Sequence, residues 1–167
     1  VEPFAVIDKY GADAVRWYFF TVNQPGETKN FDEADIQKTF RRFHLILWNS
    51  LMFYRTYAGT PPEVRGSTRS STEHRTENIL DRWILARLNE TIVFVTKNLD
   101  EYEVRGAAFE LERFVDDLSR WYIRRSRRRL QKPESKKDYE AASRTLGFVL
   151  RETAKLAAPF VPFLSEA

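Results

Sequence analysis

The chain has 167 residues, 43% hydrophobic and 14% aromatic, which is enough apolar surface to close a core and excludes a disordered tail. Its 27 basic and 24 acidic residues leave a net charge of only +3, so any electrostatic role must come from how the charges are distributed. With no cysteine there is neither a disulfide nor a thiolate site, and with His44 and His74 far apart in unlike contexts no zinc site or other metal is expected. The longest apolar runs are too short to span a bilayer, and the first residues lack a secretory pattern, so a soluble, cytoplasmic protein is expected.

Helical periodicity dominates from the start. "VEPFAVIDKYGADAVRWYFFTV" reads as two short helices split at Gly11, followed by the turn-forming "NQPGETKN". Asp32 is placed to cap a central helix in which Ile36, Phe40, Phe43, Leu47, Leu51, Tyr54 and Ala58 recur at steps of three and four, until Gly59 ends it. Residues 59–78, rich in Pro, Gly, Ser and Thr and poor in core formers, read as an exposed linker. A third helix is predicted from about Asp81 to Leu99, a fourth from about Glu103 to Arg129 with Pro133 as its stop, and a fifth from about Ser135 to Ala158. The closing "PFVPFLSEA" reads as the start of a further element. Long helices in sequence make the fold class all-α, an antiparallel helix bundle.

The charge is concentrated in one place. Between Arg120 and Lys137 nine Lys or Arg accompany a single acid, Glu134, so this stretch carries +8 and the remainder, +3 less +8, carries −5. A helical wheel puts Leu111, Phe114, Val115 and Leu118 on the core side of the fourth helix and Arg120, Arg124, Arg127 and Arg128 opposite them. Arg125 and Arg129 continue the buried stripe. Either the helix outruns its partners and its inner face becomes a surface lip, or these guanidiniums pair with buried carboxylates; the cost of burying two adjacent cations favours the lip. Such a density of arginine exceeds what a helix dipole needs, and the planar guanidinium suits phosphates and bases, so nucleic acid is the indicated partner. The alternative is a basic module that meets an acidic protein.

Catalytic patterns are lacking. The six glycines are isolated, no serine has a nucleophile-elbow setting, and Asp116 and Asp117 fall on the solvent side as ion-pair partners for Arg120.

"KYGADAVRWYF" (Lys9 to Phe19), "LILWNSLMFYRTYA" (Leu45 to Ala58), "LDRWILARLN" (Leu80 to Asn89), "DLSRWYIRRSRRR" (Asp117 to Arg129) and "LAAPFVPFLSE" (Leu156 to Glu166) together resemble, in that order, the C-terminal part of class I isoleucyl-tRNA synthetases. "WYIRRSR" looks isoleucyl, whereas "GADAVRW" and "LAAPFVPF" are shared more widely, which keeps a valyl or leucyl relative as an alternative. The family's His-x-Gly-His and Lys-Met-Ser-Lys-Ser signatures do not occur, so the catalytic domain is expected to lie outside this chain, and the chain alone is expected to be inactive. The resemblance implies a stem-contact segment at residues 1–30 and an α-helical anticodon-binding domain at 31–167. It implies tRNA, the isoleucine isoacceptor, as partner, held through its anticodon stem-loop, and a catalytic domain of the same polypeptide that uses ATP and Mg. No cofactor is expected in this stretch, no membrane partner, and a monomer.

On that reading Arg124, Arg125, Arg127, Arg128, Arg129 and Lys132 grip the backbone. On the central helix Arg41, Trp48 and Arg55 share one side, flanked by His44 and Asn49, so Trp48 and Asn49 are candidate base readers. His44 borders the core stripe, where a hydrogen-bonded packing role is the favoured reading, and Trp48 could equally pack inward; for Trp121, core packing is expected.

Overall fold

The structure, a computed structural model, describes residues 2–23, 26–28, 31–59 and 76–167, and every regular element among them is helical. Helix α1 (Pro3–Tyr10) starts on a proline and on the Glu2 carboxylate, which accepts from the Ala5 amide at 2.9 Å. Gly11, at φ 85°, closes α1 in the left-handed region that a side chain disfavours, and α2 (Ala12–Thr21) begins directly after it.

The predicted central helix is two helices, α3 (Glu33–Arg42) and α4 (His44–Tyr57), broken at Phe43. The cause lies in another element. Phe43 is fully buried and stacks on Trp17 of α2 at 3.8 Å, and the backbone bends there to φ −116°, ψ −67° to let the ring in. Asp32 caps α3 as expected, accepting from Ala34 at 2.8 Å.

Helices α5 (Ile79–Asp100) and α6 (Val104–Asp116) form a hairpin. Asn78 caps α5 by accepting from Leu80 at 2.9 Å, and Thr76 donates to Asp81 at 3.1 Å; residues 60–75 of the predicted linker lie outside the described ones. From α6 the chain runs without interruption through a π-helical segment, Asp117–Ile123, into α7 (Arg124–Gln131), turns at Pro133, and returns as α8 (Lys136–Ala157) and the short α9 (Pro162–Glu166). No helix among the described residues is long and apolar enough to cross a membrane.

One core joins Trp17 of α2, Leu47 and Tyr54 of α4, Ile84, Leu88 and Val95 of α5, Leu111, Phe114 and Val115 of α6, and Leu146, Val149 and Leu150 of α8. A smaller cluster, Val6, Ala14, Tyr18 and Ile36, fastens α1 and α3 to α2. The α4–α8 contact is close: a Cβ on Gly147 would lie 2.6 Å from the Tyr54 hydroxyl oxygen. At the far end Asp13 accepts from the Leu164 amide at 2.7 Å, while Arg16 donates to the carbonyls of Phe160 at 3.0 Å and Pro159 at 2.8 Å. These bonds join "GADAVRW" to "LAAPFVPFLSE", so the two motifs are halves of one contact.

Candidate nucleic-acid interface

The π segment sets where the arginines point. Each i→i+5 turn holds more than the usual 3.6 residues, so side chains beyond it slip around the helix relative to a regular wheel. The buried residues step by four, Leu118, Tyr122, Ser126, Leu130, and Ser126 occupies the inward position that a regular helix would give Arg125. Leu130 packs inside against α8, so the helix does not outrun its partners and the expected lip is absent. Arg125 is exposed because the helix slips. Trp121, expected in the core, stands 45% exposed for the same reason.

Arg129 takes the path judged less favourable from the sequence. Its side chain is 12% exposed and lies between two carboxylates: Nη1 and Nη2 donate to Asp81 at 2.7 and 3.0 Å, Nε and Nη2 to Asp138 at 2.9 and 2.7 Å. Asp81 is wholly buried and also accepts from the Tyr122 hydroxyl at 2.8 Å and the Thr76 hydroxyl at 3.1 Å. Burial alone would lower the Arg129 pKa, but the hydrogen bonds it donates to Asp81 and Asp138 outweigh it and the pKa is raised. Burial, with the Asp81 charge beside it, pushes the Tyr122 phenol well up, and the Asp138 carboxyl is held low mainly by its bond to Arg129. This network ties α5, α7 and α8 together, and it withdraws Arg129 from the exposed cluster with which it was grouped.

The remaining candidates divide by flank. Arg124, Arg125, Arg127, Arg128 and Lys132 are exposed. Of these only Arg128 has a carboxylate partner among the described residues, the solvent-facing Glu134. Toward α4, Arg124 and Arg127 border a groove of about 320 Å³ that Asn49, Ser50 and Phe53 line from α4 and Ser119, Arg120 and Ile123 from the π segment. The Arg127 guanidinium lies 5.7 Å from the centre of the Phe53 ring. Asn49 is thus brought to the arginines. Trp48 is 37% exposed and is not among the groove's lining residues. Arg41 is exposed on α3, and the bend at Phe43 removes the continuous helix on which it was aligned with Trp48 and Arg55.

His44 is corrected outright as a surface candidate. It is 4% exposed, stacked on Phe40 at 5.1 Å and edge-on to Trp17 at 6.1 Å, and burial pushes its pKa down to about 4, so it is a neutral interior group.

Arg120 also borders a second and larger groove, about 940 Å³, between α4, α5 and α6. There most of the charges are already matched. Arg87 meets Glu90, Glu110 and Asp117 at 3.1, 3.3 and 3.1 Å, and Arg120 meets Asp116 at 2.6 Å. Asp117, expected beside Arg120, serves Arg87 instead. Among the described residues no cluster of His, Cys, Asp or Glu could hold a metal ion. Phe53 and Ser119 were missed as groove residues. Phe53 carried a signal, because it is an apolar residue off the core stripe one helical turn beyond Asn49.

The same arrangement of helices recurs in tRNA synthetases. The chain aligns over 99% of its length with 33% of free-state methionyl-tRNA synthetase from Mycobacterium tuberculosis, at a TM-score of 0.70 and 18% identity. It aligns over 99% of its length with 18% of the LeuRS chain in the LeuRS–tRNA–LeuAMS ternary complex from Agrobacterium radiobacter K84, at a TM-score of 0.65 and 20% identity. The fold is therefore that of a helical region of these enzymes. The family described as the anticodon-binding domain of tRNA ligase matches residues 81–167, and the chain belongs to that family. In sequence it is 43% identical to isoleucine–tRNA ligase of Clostridium novyi, 44% to that of Dehalococcoides mccartyi strain CBDB1 and 42% to that of Thermus thermophilus, in each case over 99% of this chain. It spans 16% of the length of those relatives.

Proposed function

We propose that the chain is the anticodon-binding part of an isoleucine–tRNA ligase and that it holds the anticodon stem-loop of isoleucine tRNA along the exposed side of α7. The observation that carries this reading is the set Arg124, Arg125 and Arg127. They are exposed cations with no carboxylate partner among the described residues, and two of them line a groove that Asn49 and Phe53 close from α4. Unmatched arginines repel one another in water and are stabilised by a polyanion. Beside them, the amide of Asn49 offers donors and an acceptor for a base edge and the Phe53 ring offers a stacking face.

In this reading the ATP-dependent joining of isoleucine to tRNA belongs to the catalytic domain of the longer polypeptide, which would bind ATP and Mg, act in the cytoplasm, and rely on this bundle for grip. Replacing Arg124→Glu together with Arg127→Glu is expected to weaken binding of an isoleucine tRNA transcript at least 100-fold, because each change removes one phosphate partner and adds a repulsive charge. Filter binding measures the loss, and far-UV circular dichroism should be unchanged. Retained affinity in that double variant would rule out this surface.

A further inference from the structure

The groove uses one flank of the basic helix. The other flank, toward α5, carries a feature that the grip on the groove side does not explain. Trp121 is left 45% exposed although its neighbours Leu118, Tyr122 and Ile123 are buried, and the Arg125 guanidinium carbon lies over the indole, 3.7 Å from the ring centre. Trp83 of α5 lies beside it, ring centres 6.4 Å apart and planes inclined at 58°. Arg128 and Lys132 follow Arg125 at helical steps of three and four, so exposed cations line the same side.

We propose that Trp121, Arg125 and Trp83 form a second RNA contact, a platform on the α5 flank of α7 that stacks one unpaired nucleobase. The inference rests on the proposed tRNA-binding role and adds a residue and a flank to it. Three observations combine. Arg125 has no carboxylate partner among the described residues, so its charge is not spent within the fold. The π segment turns Trp121 outward, and such segments recur at functional positions. The guanidinium over the indole presents π and cationic surfaces of the kind on which bases stack, with Arg128 and Lys132 along the helix to meet the neighbouring phosphates. An acidic peptide would be served by the charges alone and has no use for the two indoles.

The test measures binding of an RNA hairpin with the anticodon stem-loop sequence of isoleucine tRNA by fluorescence anisotropy over a range of salt. Trp121→Leu is expected to weaken binding by roughly 5- to 100-fold, the worth of one stacked base, with the slope of log affinity on log salt unchanged because no phosphate contact is lost. Trp121→Phe, which keeps a π face, should stay within about 3-fold of the unsubstituted chain on the same stacking argument. Arg125→Met, a change in a side chain that lies in solvent, gives a second reading if Trp121→Leu folds poorly, and it too should weaken binding.

Native-like affinity in Trp121→Leu, while Arg124→Glu with Arg127→Glu abolishes binding, would overturn the platform and leave the groove-side function standing. Displacement of the hairpin by poly-glutamate at equal charge concentration would overturn it in favour of a protein partner. No binding by the unsubstituted chain would remove both.

Discussion

Arg125 and Arg129 stand one helical turn apart in the same basic run, yet they belong to different parts of the molecule. Arg129 is enclosed by Asp81 and Asp138 and works as a joint between three helices. Arg125 rests on an indole at the surface with no counter-charge among the described residues. The difference lies in what comes to meet each side chain from elsewhere in the chain, Asp81 from 48 residues away in one case and solvent in the other. A cluster of like charges in a sequence is therefore not a unit of function. Here it is a structural pin set among exposed arginines, and only the fold separates them.

The sharpest way to break this comparison is to remove the pin. Arg129→Met leaves the Asp81 carboxylate buried without its cation and should cost about 3–5 kcal/mol of stability, read by urea denaturation. A loss under about 1 kcal/mol would mean that Arg129 is no more than another surface arginine.

A buried base without carboxylates should behave in the opposite way, staying neutral, and His44 supplies that case. Its folded-state pKa of about 4 lies below its ordinary 6.5, so the unfolded chain takes up the proton first. The stability that neutral His44 contributes is complete above pH 6.5 and is lost as the pH falls toward 4. Between pH 7 and pH 5 the expected loss is on the order of 2 kcal/mol, and it should vanish in His44→Phe. A pH dependence that persists unchanged in the variant would assign it to other groups.

The smallest effect is expected at Arg128. Its pair with Glu134 is solvent-exposed on both sides, so Arg128→Gln should shift stability by less than about 0.5 kcal/mol in the same denaturation assay.

The order and extent of the helices were legible because Gly11, Gly59 and Pro133 punctuate the chain and the apolar stripes between them keep a helical period. The break at Phe43 was not legible, since it exists to place that ring against Trp17, a residue of another helix. Nor was the π segment. Its trace is the four-residue stepping of Leu118, Tyr122, Ser126 and Leu130, and Ser126 is a buried hydroxyl that an apolar pattern passes over. Once that slip is missed, Arg125 is assigned the inward place of Ser126 and Trp121 the inward place of Tyr122. Asn49 and the arginines could be named as candidates from residue type alone, whereas bringing them to one groove required the packing of α4 against the π segment.

The contact of Asp13 and Arg16 with residues 159–164 has a mechanical consequence. It is held by three hydrogen bonds and by the Phe160 ring against Trp17 and Phe20, none of which involves the α5–α6 hairpin or the helix bearing the arginines. A pull that separates α2 from the approach to α9 would be taken up at this clasp, and the helix bearing the arginines would keep its shape.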